Sequence, residues 1–249
     1  MIRALAAVLI ASGAAAAAEV EVDVLGLFQT ETLVVESADG SATRVEAKDT
    51  PFAHEGAFTL VIPGRFRRAY EGELRITVED ERLRATVGMT EREYLVRVAA
   101  AEMNRAPAGA LEAQIIAARS YLRAAGRRHA SAQLCDTTHC QWMADRPKED
   151  HPAWAAVDAT EGVVLRVDGR VVEALYSRSC GGRTRSGQYG ADERYRAVSC
   201  PACSGDSRRP EGHQTGLCQR GALLLGREGR SAAEILRTYF PHAVLAADR

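Results

Sequence analysis

A carboxylate placed where a helix should be apolar is the first residue of this chain that chemistry could use. In the run TEREYLVRVAAAEMNRAPAGALEAQIIAARSY, residues 90–121, Thr90 and Glu93 have the spacing of a reciprocal capping box, and Leu95, Val98 and Ala99 recur at helical spacing. Glu102 falls seven residues after Leu95, on the same stripe. The pattern therefore turns Glu102 inward or into a cleft. Burial disfavours the charged form of a carboxyl and raises its pKa, which suits a general acid working near neutral pH. The plain alternative is a half-exposed Glu102 paired with Arg105 one turn later.

Six cysteines form the second chemical signal. His129, Cys135, His139 and Cys140 lie close together in sequence, and two thiols with two imidazoles match the donor types and number of a tetrahedral zinc site. Their spacing is unlike a zinc finger, and on composition a Cys135–Cys140 disulfide with solvated histidines fits slightly better. Further on, Ser179-Cys180-Gly181-Gly182-Arg183-Thr184 combines glycines that permit close backbone approach with hydroxyls that can bond a sugar, or is a plain turn. Cys200-Pro201-Ala202-Cys203 has the spacing of a thiol-redox motif. Such a motif belongs at a helix N-terminus, where the dipole lowers a thiol pKa, and residues 204–212 read as loop. Cys218 and His213 share a last block, Gly212-His213-Gln214-Thr215-Gly216-Leu217-Cys218-Gln219-Arg220-Gly221-Ala222. A cysteine hydrolase built on those two is formally available and is the weakest reading.

The elements that must position these residues follow from periodicity. Residues 19–87 alternate as strands do, at Val20, Val22 and Val24, then over residues 32–35, 58–62 and 74–78. Pro107 opens a second helix whose apolar face is Leu111, Ile115, Ala118 and Leu122, before Gly126 ends it. Residues 154–161 predict a helix stopped by Gly162, followed by a hairpin of residues 163–167 and 171–176 around the Asp168-Gly169 turn. Ser231 and Glu234 form another capping box, and that helix stops at Pro241. The expected fold class is α+β, with a β-rich N-terminal part packed on a helical catalytic core and a C-terminal hairpin-plus-helix region.

Glu-Tyr-Leu, Ala-Ala-Glu-Met, Leu-Glu-Ala-Gln and Ala-Ala-Arg-Ser-Tyr in residues 90–121, with the Gly-Gly-Arg-Thr and Gly-His blocks downstream, resemble the SpoIID/LytB family, the stage II sporulation protein D and amidase-enhancer group. The resemblance implies a peptidoglycan lytic transglycosylase in which Glu102 is the catalytic acid. It implies a glycan cleft lined by Gln114, Arg119, Tyr121, Ser179, Thr184, His213 and Gln219. It also shifts His129, Cys135, His139 and Cys140 toward one structural zinc, since Cys-Asp-x-Thr-His-Cys-Gln is similar to a family segment that can bind zinc near the cleft. The alternative function is a non-catalytic peptidoglycan-binding or amidase-enhancer module, with a cell-wall amidase as partner.

The chain departs from the family pattern in four places. Asn104 stands where Pro is usual, Cys180 and Cys218 each replace a Ser, and residues 185–211 are much shorter than the corresponding family segment. Because Cys180 and Cys218 sit in cleft motifs that should approach one another, two disulfides are expected among Cys180, Cys200, Cys203 and Cys218, each joining the Cys200/Cys203 pair to a motif. Such loops could contribute about 3 kcal/mol each in the chain-entropy model. A four-thiolate zinc site is the rival for the same residues.

A chain of 249 residues with 46% hydrophobic content can bury a substantial core, and a net charge of -1 argues against nucleic acid as partner. Residues 1–18 read as a signal peptide, with Arg3, an apolar run from Ala4, and Ala16-Ala17-Ala18 before Glu19. The expected organisation is thus residues 1–18 as signal peptide and 19–249 as one SpoIID/LytB-like domain, divided into a β-rich part (19–87) and a core (88–249). The expected location is the periplasm or cell wall, with no stable membrane span after cleavage.

Overall fold

Alternating apolar residues in the N-terminal part put one face of a large sheet against the helices. The structure, a computed structural model, describes residues 19–186, 195–204 and 209–248. The expected signal peptide, residues 1–18, and parts of the short 185–211 segment lie outside the described residues. Strands β1 (Glu19–Asp23), β2 (Thr32–Ser37), β3 (Ala42–Glu46), β4 (Phe52–Ile62), β5 (Phe66–Glu79), β6 (Arg82–Thr90) and β7 (Leu134–Cys135) form one seven-stranded sheet in the order β3-β2-β4-β5-β6-β1-β7. Val20, Val22, Leu33, Val35, Leu60, Leu74, Ile76 and Val87 are among its buried core residues. The pairings are antiparallel except for β1 with β7, where Val22 lies opposite Leu134 and Asp23 opposite Cys135. One edge of the sheet thereby carries the first cysteine of the His/Cys group.

The last strand of the N-terminal part runs straight into helix α1 (Glu91–Met103). Thr90 caps it by accepting the Glu93 backbone N–H at 3.2 Å, an interaction of about 1 kcal/mol. Only half of the expected capping box forms, because the Glu93 carboxylate turns to Arg97, whose Nε donates to it at 2.7 Å. Leu95, Val98 and Ala99 are buried as their spacing predicts.

Helix α2 (Ala108–Ala125) begins after Pro107 and ends at Gly126, in the left-handed region at φ 62°. Instead of one apolar face, it buries every side: among residues 110–122 only Glu112 is outside the buried set. It touches α1, α3 (Ala153–Ala159), strand β8 (Val163–Val167), α4 (Gln219–Arg227) and α5 (Ala232–Tyr239). A helix packed all round is the centre of its layer, and four alanines among the buried residues let its neighbours approach. Among the described residues no helix is long and apolar enough to cross a membrane.

After α3 the chain turns through Asp168 and Gly169, both at positive φ, and pairs β8 with β9 (Arg170–Val171); β12 (Val244–Ala247) covers the other edge. The second arm of this hairpin is shorter than the 171–176 alternation predicts. The chain leaves β8 after Val172, whose N–H still bonds the Leu165 carbonyl, and forms β10 (Tyr176–Ser177), parallel to β11 (Leu217–Cys218). The Leu175 carbonyl accepts the Leu217 N–H at 2.9 Å. Gly216 makes this approach possible, since a Cβ there would lie 2.0 Å from the Leu175 oxygen. A full capping box between Ser231 and Glu234 starts α5 as expected. The molecule is α+β, with a β-rich N-terminal part.

Candidate active site

A cleft of about 900 Å³ opens where the end of α1, the loop before residue 143, the chain through β10 and the start of α4 converge. Glu102, on the last turn of α1, lines it half-buried. Its Oε2 accepts from Gln219 Nε2 at 2.8 Å, and its Oε1 accepts from the Trp142 backbone N–H at 3.1 Å. Burial pushes the Glu102 carboxyl above its ordinary pKa, and these two hydrogen bonds, which favour the ionised form, only partly oppose the rise. Glu102 does not pair with Arg105, whose guanidinium reaches Asp150 at 3.1 Å. Asn104 ends α1 at φ 48°, a value closed to the proline usual in the family. Two other carboxylates line the cleft, and each is engaged by a cation: Glu173 by Arg128, and Glu211 by Arg178 at 3.1 Å.

The loop that carries the Trp142 N–H is anchored from several directions. Gln141 is buried, accepting from the Tyr94 hydroxyl at 2.7 Å and donating to the Ala118 carbonyl at 3.3 Å, so it ties the loop to both α1 and α2. Arg68 of β5 holds Asp136 at 2.8 Å and the Met143 carbonyl at 3.3 Å, and Arg97 of α1 donates to the Ala144 and Ala69 carbonyls. The indole of Trp142 is left 48% exposed on the cleft wall, an apolar platform where most large apolar side chains are buried. Sequence reasoning passed over Trp142. An aromatic directly after Cys-Gln in a short, polar segment was the available signal.

His129, Cys135, His139 and Cys140 converge within the same loop, their donor atoms all within 4.8 Å of one another. His129 Nε2 lies 3.2 Å from Cys140 Sγ, and His139 Nδ1 lies 3.5 Å from Cys140 Sγ and 3.8 Å from Cys135 Sγ. Both thiols are free, so the Cys135–Cys140 disulfide is not formed. The hydrogen bond from Cys140 lowers the Cys135 thiol to about 3, and the same contact pushes Cys140 up. Two sulfurs and two imidazole nitrogens at these separations form a donor set that can hold a metal ion, and four-coordinate zinc accepts both donor types. His139 and Cys140 also line the cleft, so this group sits beside Glu102.

The remaining expected cleft residues divide into three groups. Tyr121, Ser179, His213 and Gln219 line the cleft. The His213 Nδ1 accepts the Thr215 N–H at 3.1 Å, and burial holds its imidazole below the ordinary pKa. Gln114 is fully buried behind the wall, where its Oε1 meets Gln219 Nε2 at 3.5 Å; it supports Gln219 and does not face the cleft. Arg119 and Thr184 lie elsewhere. Arg119, 1% exposed, pairs with Glu91 at 2.7 Å and donates to the carbonyls of Thr160 and Val163, joining α1, α2 and the entry to β8. The Thr184 hydroxyl accepts the Val198 N–H at 2.8 Å and closes a loop. Both were read as sugar contacts because they sit in cleft motifs, and both instead satisfy buried backbone groups.

The two expected disulfides are absent. Cys180, Cys200, Cys203 and Cys218 are all free and buried, and the sulfurs gather into one cluster in place of two bonded pairs. Cys203 and Cys218 sulfurs are 3.6 Å apart, against a bond length of about 2.05 Å. Cys218 also lies outside the cleft lining, which leaves it unable to act as a nucleophile with His213.

Fold and site together define an α+β protein whose cleft is served by one half-buried acid, held from two sides, next to a His/Cys group. Residues 79–166 match the SpoIID family, stage II sporulation protein, and the match supports assigning this segment to that family. The matched stretch runs from the end of β5 to β8 and contains Glu102 and the His129, Cys135, His139, Cys140 group. The cluster of Cys180, Cys200, Cys203 and Cys218 lies beyond it. No curated protein matches the chain.

Proposed function

We propose that this protein is an exported lytic transglycosylase that cleaves peptidoglycan glycan strands, with Glu102 as its single acid and base. The observation that carries this reading is the environment of Glu102: a carboxyl raised by burial, opening into a cleft, with both oxygens oriented by Gln219 Nε2 and the Trp142 N–H. A protonated Glu102 donates its proton to the glycosidic oxygen, and the bond from that oxygen to the anomeric carbon breaks. The 6-hydroxyl of the same muramic acid then attacks the anomeric carbon and returns its proton to the Glu102 carboxylate. The products are a free sugar hydroxyl and a 1,6-anhydro end, with no water consumed. One acid/base group serves both halves, and the ion-paired Glu173 and Glu211 need not ionise or protonate in turn.

Tyr121, Ser179, His213 and the Trp142 ring supply sugar contacts along the cleft, while Gln114 and Gln219 form a relay that fixes Glu102. Arg128, Arg178, Arg209 and Arg220 on the same walls outnumber Glu173 and Glu211, with which the first two pair, and the cationic excess suits a polymer that carries carboxylates on its stem peptides. His129, Cys135, His139 and Cys140 hold one structural zinc in this reading. When bound it fixes the loop that presents the Trp142 N–H and leaves the proton transfers to Glu102.

Mass analysis of purified peptidoglycan after digestion tests the proposal. New 1,6-anhydro ends are the expected result. Reducing ends made by hydrolysis would replace the transglycosylase with a hydrolase. Glycan binding without new ends, together with stimulation of a cell-wall amidase, would make the protein an enhancer module.

A further inference from the structure

A second sulfur cluster lies outside the segment matched to the family and outside the proposed chemistry. We propose that Cys180, Cys200, Cys203 and Cys218 bind one structural zinc ion as four thiolates, at the joint between the two-stranded β10/β11 pair and α4.

The geometry points to a metal before it points to disulfides. All four sulfurs lie within 4.8 Å of one another. A tetrahedral zinc with Zn–S bonds of about 2.3 Å sets its sulfurs about 3.8 Å apart, and Cys203 and Cys218 are 3.6 Å apart. The residues are 0–3% exposed, so the four sulfurs are shielded from bulk solvent. Cys200 precedes and Cys203 ends a short 3₁₀ turn (Pro201–Cys203), a two-residue spacing common for zinc thiolate pairs. That turn is pinned to the Gly-Gly loop by the Cys200 N–H, which donates to the Gly182 carbonyl at 2.8 Å.

Hydrogen-bond donors for a thiolate are already in place at two of the four sulfurs. The Cys180 and Gly221 N–H groups both donate to Cys218 Sγ, at 3.3 and 3.4 Å, and Cys218 occupies the N-cap of α4, where the helix favours negative charge. The Tyr239 hydroxyl lies 3.1 Å from Cys200 Sγ, placed to donate to it. Gly221 sits inside a helix, where glycine is unfavourable by about 1 kcal/mol relative to alanine. A Cβ there would meet the Tyr239 oxygen at 1.9 Å and Cys200 Sγ at 2.6 Å, so the backbone of α4 is packed directly on the sulfur site. On binding, the four thiols release their protons to solvent and the zinc dication leaves the site with two net negative charges, which these donors offset.

The position gives the ion a task. Cys218 directly precedes Gln219, which holds Glu102, and Cys180 directly follows Ser179 on the cleft wall. Short segments with little area of their own are thereby fixed to one point. The inference does not depend on glycan cleavage.

Elemental analysis of the full-length protein, purified without chelator, decides the matter together with cobalt reconstitution. About two equivalents of zinc are expected, one for each sulfur group, falling to about one in C200S/C203S and, separately, in C135S/C140S. Should C200S/C203S fail to fold, the wild-type protein refilled with cobalt(II) still reports: the expected sulfur-to-cobalt charge-transfer absorption is that of an all-sulfur site added to a mixed one. Disulfides among these four cysteines in a non-reducing peptide map, four free thiols with no second metal, or iron with acid-labile sulfide would each overturn the proposal.

Discussion

Gln219 Nε2 and Glu102 Oε2 lie 2.8 Å apart, although 117 positions separate them in the chain. The bond joins the last turn of α1 to the first residue of α4, and the carboxyl it holds is already raised by burial. A donor to the ionised form lowers the pKa, so Gln219 moderates the rise as it fixes the direction of the acid. Replacing Gln219 by Leu is expected to raise the Glu102 pKa further. The alkaline limb of the pH–rate profile for glycan cleavage should then move to higher pH while the maximal rate falls. An unmoved limb would remove Gln219 from control of the acid.

Glu102→Gln is expected to retain the fold, checked by circular dichroism, and to lose cleavage by about 10²–10⁴-fold, the usual contribution of general acid/base catalysis. Wild-type formation of anhydro ends by the purified variant would exclude Glu102 from the reaction.

The same substitution should have a pH-dependent effect on stability. The folded-state pKa of Glu102 is raised, so the folded protein holds this proton more tightly than the unfolded chain does. Below the unfolded pKa both states are protonated and Glu102 imposes no penalty; as pH rises through the folded pKa, the buried charge becomes unfavourable. Thermal melts should therefore show Glu102→Gln gaining on wild type at neutral pH and losing that advantage near pH ~4.

Trp142→Ala removes an exposed ring and leaves the backbone N–H that bonds Glu102. The expected effect is on binding: about a tenfold weaker affinity for glycan fragments, the equivalent of roughly 1.4 kcal/mol, with cleavage at saturating substrate largely kept. A loss confined to the saturated rate would show that the loop itself had moved.

Arg119→Met tests a residue whose motif suggested sugar binding and whose position is structural. The substitution leaves two backbone carbonyls without their buried donor and Glu91 with Arg123 as its remaining cation, an effect on the order of 2 kcal/mol. A lower melting temperature with unchanged glycan affinity per folded molecule is expected from calorimetry and binding isotherms.

The sequence by itself determined what depends on near neighbours. The α+β class, the alternating strands of the large sheet, the Thr90 cap, the stripe that carries Glu102 and the Ser231–Glu234 box are set by side-chain periods of two and 3.6 and by contacts within a few residues. Tertiary structure decided what depends on which segments meet. Residues 171–176 have the alternation of a hairpin arm, yet Leu175 bonds Leu217, a partner no local pattern specifies. Arg119 sits in a cleft motif, but α2 is surrounded on every side, so its guanidinium faces Glu91 and two carbonyls. Four cysteines permit three pairings or none, and only the convergence of β11, α4 and the Pro201–Cys203 turn brings their sulfurs to one point. A side chain's type is local information, but its partner is a property of the packed chain, because burial and distance are fixed only when remote segments close on each other.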